Sequence, residues 1–316
     1  MDTLLKVSLL LLTLMILMMV MVGGLTRLSG SGLSIVEWKP ITGIVPPLSF
    51  SDWMNEFSKY KASPEFQKIN FSMDLSEFQS IFWLEYIHRL VGRVLCLILA
   101  VPTLISLFCK PHRNLIPLLA LLWILGATQG VMGWLMVKSG LINDPFVNPY
   151  RLAAHLLLGF IIFGLSLWIT FKVYKLPRLP FLTSPLLLIP ALSLTLLTAF
   201  LGALVAGFKA GLLYPTFPFM GGQLIPPEIP CSLLDPASLQ FFHRLLACLT
   251  LLYCLWVSFP FRYPFIFIGG SALIQFSLGI ATLLGGVPIS LALLHQGFAF
   301  VLFGSILYTL FLTRKN

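Results

Sequence analysis

Apolar residues in this chain come in eight blocks of about 20, at roughly 4–24, 86–108, 115–137, 151–172, 183–207, 240–260, 264–285 and 292–312. Each block is long enough to cross a bilayer as a helix. The first two are separated by residues 25–85, a mixed polar stretch containing Trp38, Pro40, Pro46, Pro47 and Trp53. That stretch is too long and too varied for a simple turn. It predicts a small ordered cap with short helices, over 51–61 and 74–85.

Composition agrees with spanning. Hydrophobic residues make up 58% and charged ones 10%, against about a quarter charged in soluble domains, and mean hydropathy is +0.95. In such a chain a net charge of +9 does not point to nucleic acid and is read loop by loop, because Lys and Arg orient membrane helices. One set of loops carries Lys6, Lys110, Arg113, Lys172, Lys175, Arg178, Arg262, Arg314 and Lys315, with Asp2 as its only acid. The other holds 25–85, where Glu37, Asp52, Glu56, Glu65, Asp74, Glu77 and Glu85 offset the bases. Both termini are therefore expected in the cytoplasm and the cap outside. The first apolar run lacks a small-residue cleavage site and is expected to stay as a helix. No Arg- and Ser-rich segment precedes it, which favours a bacterial plasma (inner) membrane. Cys96, Cys109, Cys231, Cys248 and Cys254 form no CxxC pair, and no disulfide framework is expected.

Five histidines occur. His112 lies beside Lys110 and Arg113 and reads as solvated. The other four, His88, His155, His243 and His295, fall near the starts of the second, fourth, sixth and eighth spans. These spans run in one direction, so the four rings share a level near the external face. The chain also resembles itself: EYIHRLVGR (85–93) matches QFFHRLLAC (240–248), and RLAAHLLLG (151–159) matches ALLHQGFAF (292–300) more weakly. The expected fold is all-α and integral to the membrane: eight spans as two tandem four-helix bundles, with an external cap between spans one and two. The halves divide at 1–178 and 179–316.

Two histidine pairs follow, His88 with His155 and His243 with His295. Facing imidazoles in a bundle suit a haem or a metal ion, and zinc would more often bring Cys or carboxylate partners. Hydrogen bonding between helices is the plainer role for one membrane histidine; four at one level favour ligation. Small residues, Gly92, Gly159, Ala247 and Ala299, follow each histidine by one turn and leave room for a flat ring. Arg89, Arg244 and Arg151 stand where they pair haem propionates or simply snorkel. Glu85 lies one turn before His88, and Gln240 holds the matching place before His243.

RLSGSGLSIVEWKPITGIVPPLS (27–49), EFQSIFWLEYIHRLVGR (77–93), GATQGVMGWLMVKSGL (126–141), RLAAHLLLG (151–159), TFPFMGGQLIPPE (216–228), QFFHRLLA (240–247) and LLHQGFAF (293–300) together resemble the haem A synthase family, in its proteobacterial and mitochondrial version without cysteine pairs in the external loops. The resemblance covers essentially the whole chain. It implies an oxidoreductase that turns the methyl group of haem O into the formyl group of haem A by successive hydroxylations, for terminal oxidases. It also implies haem b as cofactor on His243 and His295, with Arg244 beside it. Substrate haem O would sit on His88 and His155, with Arg89 and Arg151 nearby. Glu85 would be the catalytic carboxylate, relaying protons or stabilising a cation at the methyl carbon; capping the helix start is its plainer role. Implied partners are haem O, haem O synthase, oxidase assembly factors, membrane lipid and an electron donor that the residues do not identify. The residues leave a homo-oligomer open.

Two other functions fit parts of the chain. A dihaem b-type cytochrome taking electrons from quinol accounts for the histidines but not for Glu85 against Gln240. A parallel-repeat transporter would use Gln129 and Gln275, at matching places in spans three and seven, as midplane polar groups; bonding across the bundle is their plainer role.

Overall fold

The structure, a computed structural model, describes residues 1–142, 145–179, 185–225, 235–259 and 263–314. Helix α1 spans Asp2–Leu28, and the cap contributes α2 (Phe50–Lys61) and α3 (Pro64–Lys68). Then come α4 (Leu75–Phe108), α5 (Ile116–Gly140), α6 (Pro149–Val173), α7 (Leu188–Gly207), α8 (Pro236–Ser258), α9 (Ile266–Leu284) and α10 (Ile289–Thr313). Among the described residues no strand forms, and eight helices are long and apolar enough to cross a membrane. The chain is a multi-pass membrane protein.

Helix α4 starts well before the expected span. The pattern placed a separate cap helix at 74–85, yet the helix runs unbroken from Leu75. Nothing in 75–101 breaks it, since no Gly–Pro punctuation intervenes, and Asp74 and Glu77 form a reciprocal capping box at the start. The extra turns carry an aromatic face. Phe78 stacks on Phe57 and Tyr60 of α2 with centroids 5.0 and 5.2 Å apart, and Phe82 meets Trp53 edge-on at 5.0 Å. The cap therefore rests on an extension of a span, which ties its geometry to the helix that carries His88.

Helices α1, α4, α5 and α6 close a ring of neighbours, and α7, α8, α9 and α10 close another. The rings join where α6 packs on α7 and where α10 packs on α1 and α6. At that seam Phe160 and Phe300 stack 3.8 Å apart, with planes 11° from parallel. A Cβ on Gly164 would lie 2.9 Å from Phe303, and one on Gly304 would lie 3.6 Å from Phe163. Each helix thus offers a glycine to the other's phenylalanine. The paired positions differ by 140, as do His155 and His295 (295 − 155), so the sequence repeat is also the packing rule. At Gly164 glycine is needed, because a Cβ would come too close to Phe303, whereas at Gly304 a Cβ would make only ordinary contact.

Hydroxyls inside the apolar slab must find partners. Thr13 on α1 reaches Ser166 (2.8 Å) and Thr170 (3.2 Å) on α6, and Thr198 on α7 reaches Thr250 on α8 at 2.8 Å. His112, expected to be solvated, instead has Nε2 2.8 Å from Asp2 Oδ1, because the 110–115 turn lies beside the start of α1.

Candidate functional site

Each of the four span histidines leans on a glycine of the preceding span. His88 faces Gly23 of α1, His155 faces Gly133 of α5, His243 faces Gly202 of α7 and His295 faces Gly279 of α9. A Cβ at those glycines would come within 3.0, 3.3, 2.9 and 3.0 Å of the respective rings. At Gly202 that contact is shorter than real Cβ atoms show, and at the other three the ring would have to give way by a few tenths of an ångström, so glycine lets the rings sit where they do without strain. The small residues on the histidines' own helices matter less: a Cβ at Gly92 or Gly159 would meet nothing closer than 3.5 or 3.8 Å. The sequence reading, that these positions leave room for a flat ring, did not include the glycines of the preceding spans. The signal was present in glycines on every odd-numbered span, but the facing pairs are far apart in the chain.

His88 and His155 lie close enough for a charge on one to act on the other, and so do His243 and His295. All four rings are half-buried. His243 Nδ1 is 3.1 Å from the carbonyl oxygen of Thr198. A carbonyl only accepts, so Nδ1 carries the proton and Nε2 keeps a lone pair for a metal. His295 Nδ1 lies 3.2 Å from Gln275 Nε2. Gln129 Nε2 donates to the His155 carbonyl at 3.1 Å and lies 3.3 Å from His155 Nε2, while His155 Nδ1 is buried without a partner. Among the described residues no cluster of three or more His, Cys, Asp or Glu forms. The donor set is imidazole in pairs on facing helices, which fits a haem held between them.

Glu85 is buried, at 2% exposure, and both its oxygens are in use. Oε2 accepts from Ser34 Oγ (2.7 Å) and Ile35 N (2.9 Å); Oε1 accepts from Arg89 Nε (3.1 Å) and Nη2 (2.7 Å). Arg89 also donates to the Ile35 and Glu37 carbonyls at 2.8 and 3.0 Å. One turn on, Arg93 donates to the Lys39 and Pro40 carbonyls. The segment after α1 is thus latched to α4. The second half repeats this with different chemistry: Gln240 donates to the Gly211 and Tyr214 carbonyls, and Arg244 to those of Tyr214 and Thr216. Arg151 donates to the Leu135 carbonyl at 2.5 Å. The three arginines expected at propionates thus each donate to a backbone oxygen, and Arg89 also to Glu85. Of the groups in the two latches, Arg93 Nη1, Gln240 Oε1 and Arg244 Nε are buried without a partner.

The four cysteines among the described residues, Cys96, Cys109, Cys248 and Cys254, are free; Cys231 lies outside the described residues.

Above the latch, a cavity of about 400 Å3 is lined by Glu37, Lys39, Asp52, Glu56, Arg89 and Arg93, among others. Deeper in the cap Tyr60 Oη donates to Glu65 Oε2 at 3.1 Å and accepts from Asn70 Nδ2 at 2.8 Å. Burial drives the Glu65 carboxyl up to about 7, only partly opposed by the Tyr60 hydrogen bond, with the charge of Glu85 adding to the rise. Unfolded, it titrates at about 4.3. Between those pH values the folded cap holds a proton that the unfolded chain releases, so this group's contribution to stability is full below about pH 4 and lost as pH rises through about 7. Glu65→Gln removes that dependence. Melting of the purified chain in detergent, followed from about pH 5 to about pH 8 to bracket the transition, should fall less steeply in the variant than in the wild type; parallel curves would refute the buried acid.

A sequence profile for the COX15-CtaA family, described as cytochrome oxidase assembly protein, matches residues 6–307. The chain is 42% identical over 327 residues to the haem A synthase of Rickettsia felis, covering 96% of each chain. It is 42% identical over 326 residues to that of Rickettsia akari, again covering 96% of each. To that of Wolbachia pipientis wMel it is 42% identical over 318 residues, covering 96% of this chain and 90% of the relative.

Proposed function

The chain belongs to the COX15-CtaA family of cytochrome oxidase assembly proteins, and from this we propose that it is an enzyme making haem A from haem O in the membrane. What carries the reading is the pairing of imidazoles on facing helices, in a chain similar over 96% of its length to haem A synthases. In detail, we read the reaction as oxidation of a porphyrin methyl group to a formyl group by successive hydroxylations. His88 and His155 would hold haem O in the half formed by residues 1–178, and His243 and His295 would hold haem b in 179–316. Haem b, when bound, supplies the one-electron chemistry of its iron. Arg151 and Arg89 stiffen the first site by tying its helices to backbone carbonyls, and Arg244 does the same in the second. Glu85, paired with Arg89 and held by two further donors, is the group nearest in sequence to His88 that can take a proton from the substrate edge.

The loop charges support a bacterial inner membrane location with both termini in the cytoplasm and the cap outside. The partners that fit are a supplier of haem O, an oxidase assembly factor that receives haem A, and an electron donor.

The test is the identity of the bound haem. The full chain is expressed in a host that makes haem O but no haem A, purified in detergent and extracted with acid acetone for chromatography. Haem B with haem O, or new haem A, is the expected result. Haem B alone, with both histidine pairs filled, would replace this reading by an electron-transfer cytochrome, and no haem would remove it.

A further inference from the structure

At the end of the bundle opposite the cap, the linker after α6 is fastened to the last turn of α10. Leu179 N donates to the Leu312 carbonyl at 2.6 Å, and Arg178 Nη1 donates to the carbonyl of Phe311. A second guanidinium joins it there. Arg178 Cζ lies 3.8 Å from the centroid of the buried Phe311 ring. Arg314 Cζ lies 5.4 Å from the same centroid and 4.8 Å from that of Trp168 on α6. Burial lowers the Arg178 pKa, and the nearby Arg314 charge adds to the lowering.

Two like charges at one ring repel each other, and little in the protein offsets them. The carbonyls at the end of α10 are the plainer partner, but a helix C-terminus carries only about half an elementary negative charge against two full positive ones. Among the described residues neither arginine has an ion pair, and Arg314 Nε is buried without a partner. Asp2, the acid at this end, is taken by His112 at 2.8 Å. Lys172 and Lys175, on the same connection, add to the positive charge. An anion from outside the chain is what this arrangement lacks.

Depth says which anion. Trp and Tyr gather at the headgroup level of a membrane. Here Trp168 meets Phe311 edge-on at 5.0 Å, and Tyr308 Oη on α10 lies 2.5 Å from Tyr263 Oη before α9. The arginines stand beside this belt, at the level of lipid phosphates. A guanidinium fork matches a pair of phosphate oxygens, and basic pockets between spans take anionic headgroups.

We propose that Arg178 and Arg314, beside Trp168, form a site for a phosphate anion, which their level in the membrane assigns to the headgroup of an anionic phospholipid and not to free phosphate. A zwitterionic headgroup also carries phosphate, but its own cation leaves the two arginines unneutralised. The bound headgroup bridges the linker after α6 to the end of α10, the helices that carry His155 and His295 and stack at Phe160 and Phe300. This needs only the membrane-spanning fold and not the haem reading.

The experiment titrates the full chain, in a neutral detergent, with phosphatidylglycerol, phosphatidylcholine or inorganic phosphate. Native mass spectrometry counts the lipid retained per chain, and the melting temperature is followed in parallel. Phosphatidylglycerol should be retained and raise the melting temperature; phosphatidylcholine and inorganic phosphate should do neither at the same concentration. Arg178→Gln and Arg314→Gln should each raise the phosphatidylglycerol concentration for half-retention about tenfold, the worth of one hydrogen bond to a charged group. Arg113→Gln, which removes one charge from another loop at this end, should leave it unchanged. Retention of phosphatidylcholine equal to that of phosphatidylglycerol would overturn the proposal, as would an equal rise in melting temperature from inorganic phosphate. So would wild-type retention in Arg314→Gln, or an equal loss in Arg113→Gln. Arg314→Gln leaves the Arg178 bond to the Phe311 carbonyl in place, so it decides the matter even where Arg178→Gln fails to fold.

Discussion

His243→Ala, purified as the full chain, should carry little or no haem b, while His88→Ala keeps a full complement. The Thr198 carbonyl forces the proton of His243 onto Nδ1, so the nitrogen aimed away from that carbonyl is a ready iron ligand. Gly202 leaves the ring its place, and no other imidazole among the described residues is positioned to substitute. Removing the ligand itself must cost at least the roughly 10- to 100-fold that follows from losing a group hydrogen-bonded to a metal ligand. His295→Ala should behave like His243→Ala. His88→Ala and His155→Ala should instead lose haem O and haem A from the extract while haem b stays. The measurement is haem of each type per chain, by extraction and chromatography. Haem b at the wild-type level in His243→Ala would refute the ligand assignment, and equal loss of haem b in all four variants would refute the division of labour between the halves.

Much of this frame was legible in the sequence, for a physical reason. Bilayer thickness fixes how long an apolar run must be, so eight runs gave eight spans, with ends shifted by a few residues except at α4. There the apolar run begins near Tyr86 but the helix begins at Leu75, because a helix ends where capping ends it and not where water does. That His88 lies near His155, and His243 near His295, could be read from span parity. Relations within one helix could be read too: Glu85 and Arg89 are four apart, which is contact distance. Contacts between distant segments could not. Arg89, Arg244 and Arg151 all donate to backbone carbonyls, and since every residue has a carbonyl no sequence pattern marks the acceptor. The glycine seats were hidden likewise, since Gly23 and His88 are separated by the whole cap.

Glu85→Gln should keep haem b and yet lose haem A production by about 10²- to 10⁴-fold, the usual contribution of a positioned acid or base. The competing role is plain in the structure: Glu85 anchors the 34–35 segment and neutralises Arg89. Breaking a buried pair by removing one charge costs about 3–5 kcal/mol, so the variant also melts earlier. The two roles separate in Arg89→Gln. That change removes the ion pair but leaves Glu85 held by Ser34 Oγ and the Ile35 N–H. A proton-transfer role predicts substantial haem A production in Arg89→Gln and none in Glu85→Gln, although both lose stability. A pure anchoring role predicts that activity follows melting temperature in both. Full haem A production by Glu85→Gln would dismiss the carboxylate from the chemistry. The α8 latch shows why the charge is not needed for anchoring in itself. Gln240 performs the matching task with an amide, because the 211–216 segment presents only carbonyls to it; a carboxylate there would face like partial charges. In the first half Ser34 and Ile35 turn donors toward α4 instead, so the amide introduced by Glu85→Gln would keep one acceptor and set an N–H against donors. The segment after α1 is therefore shaped to hold an anion beside His88, where the second half holds a neutral amide beside His243.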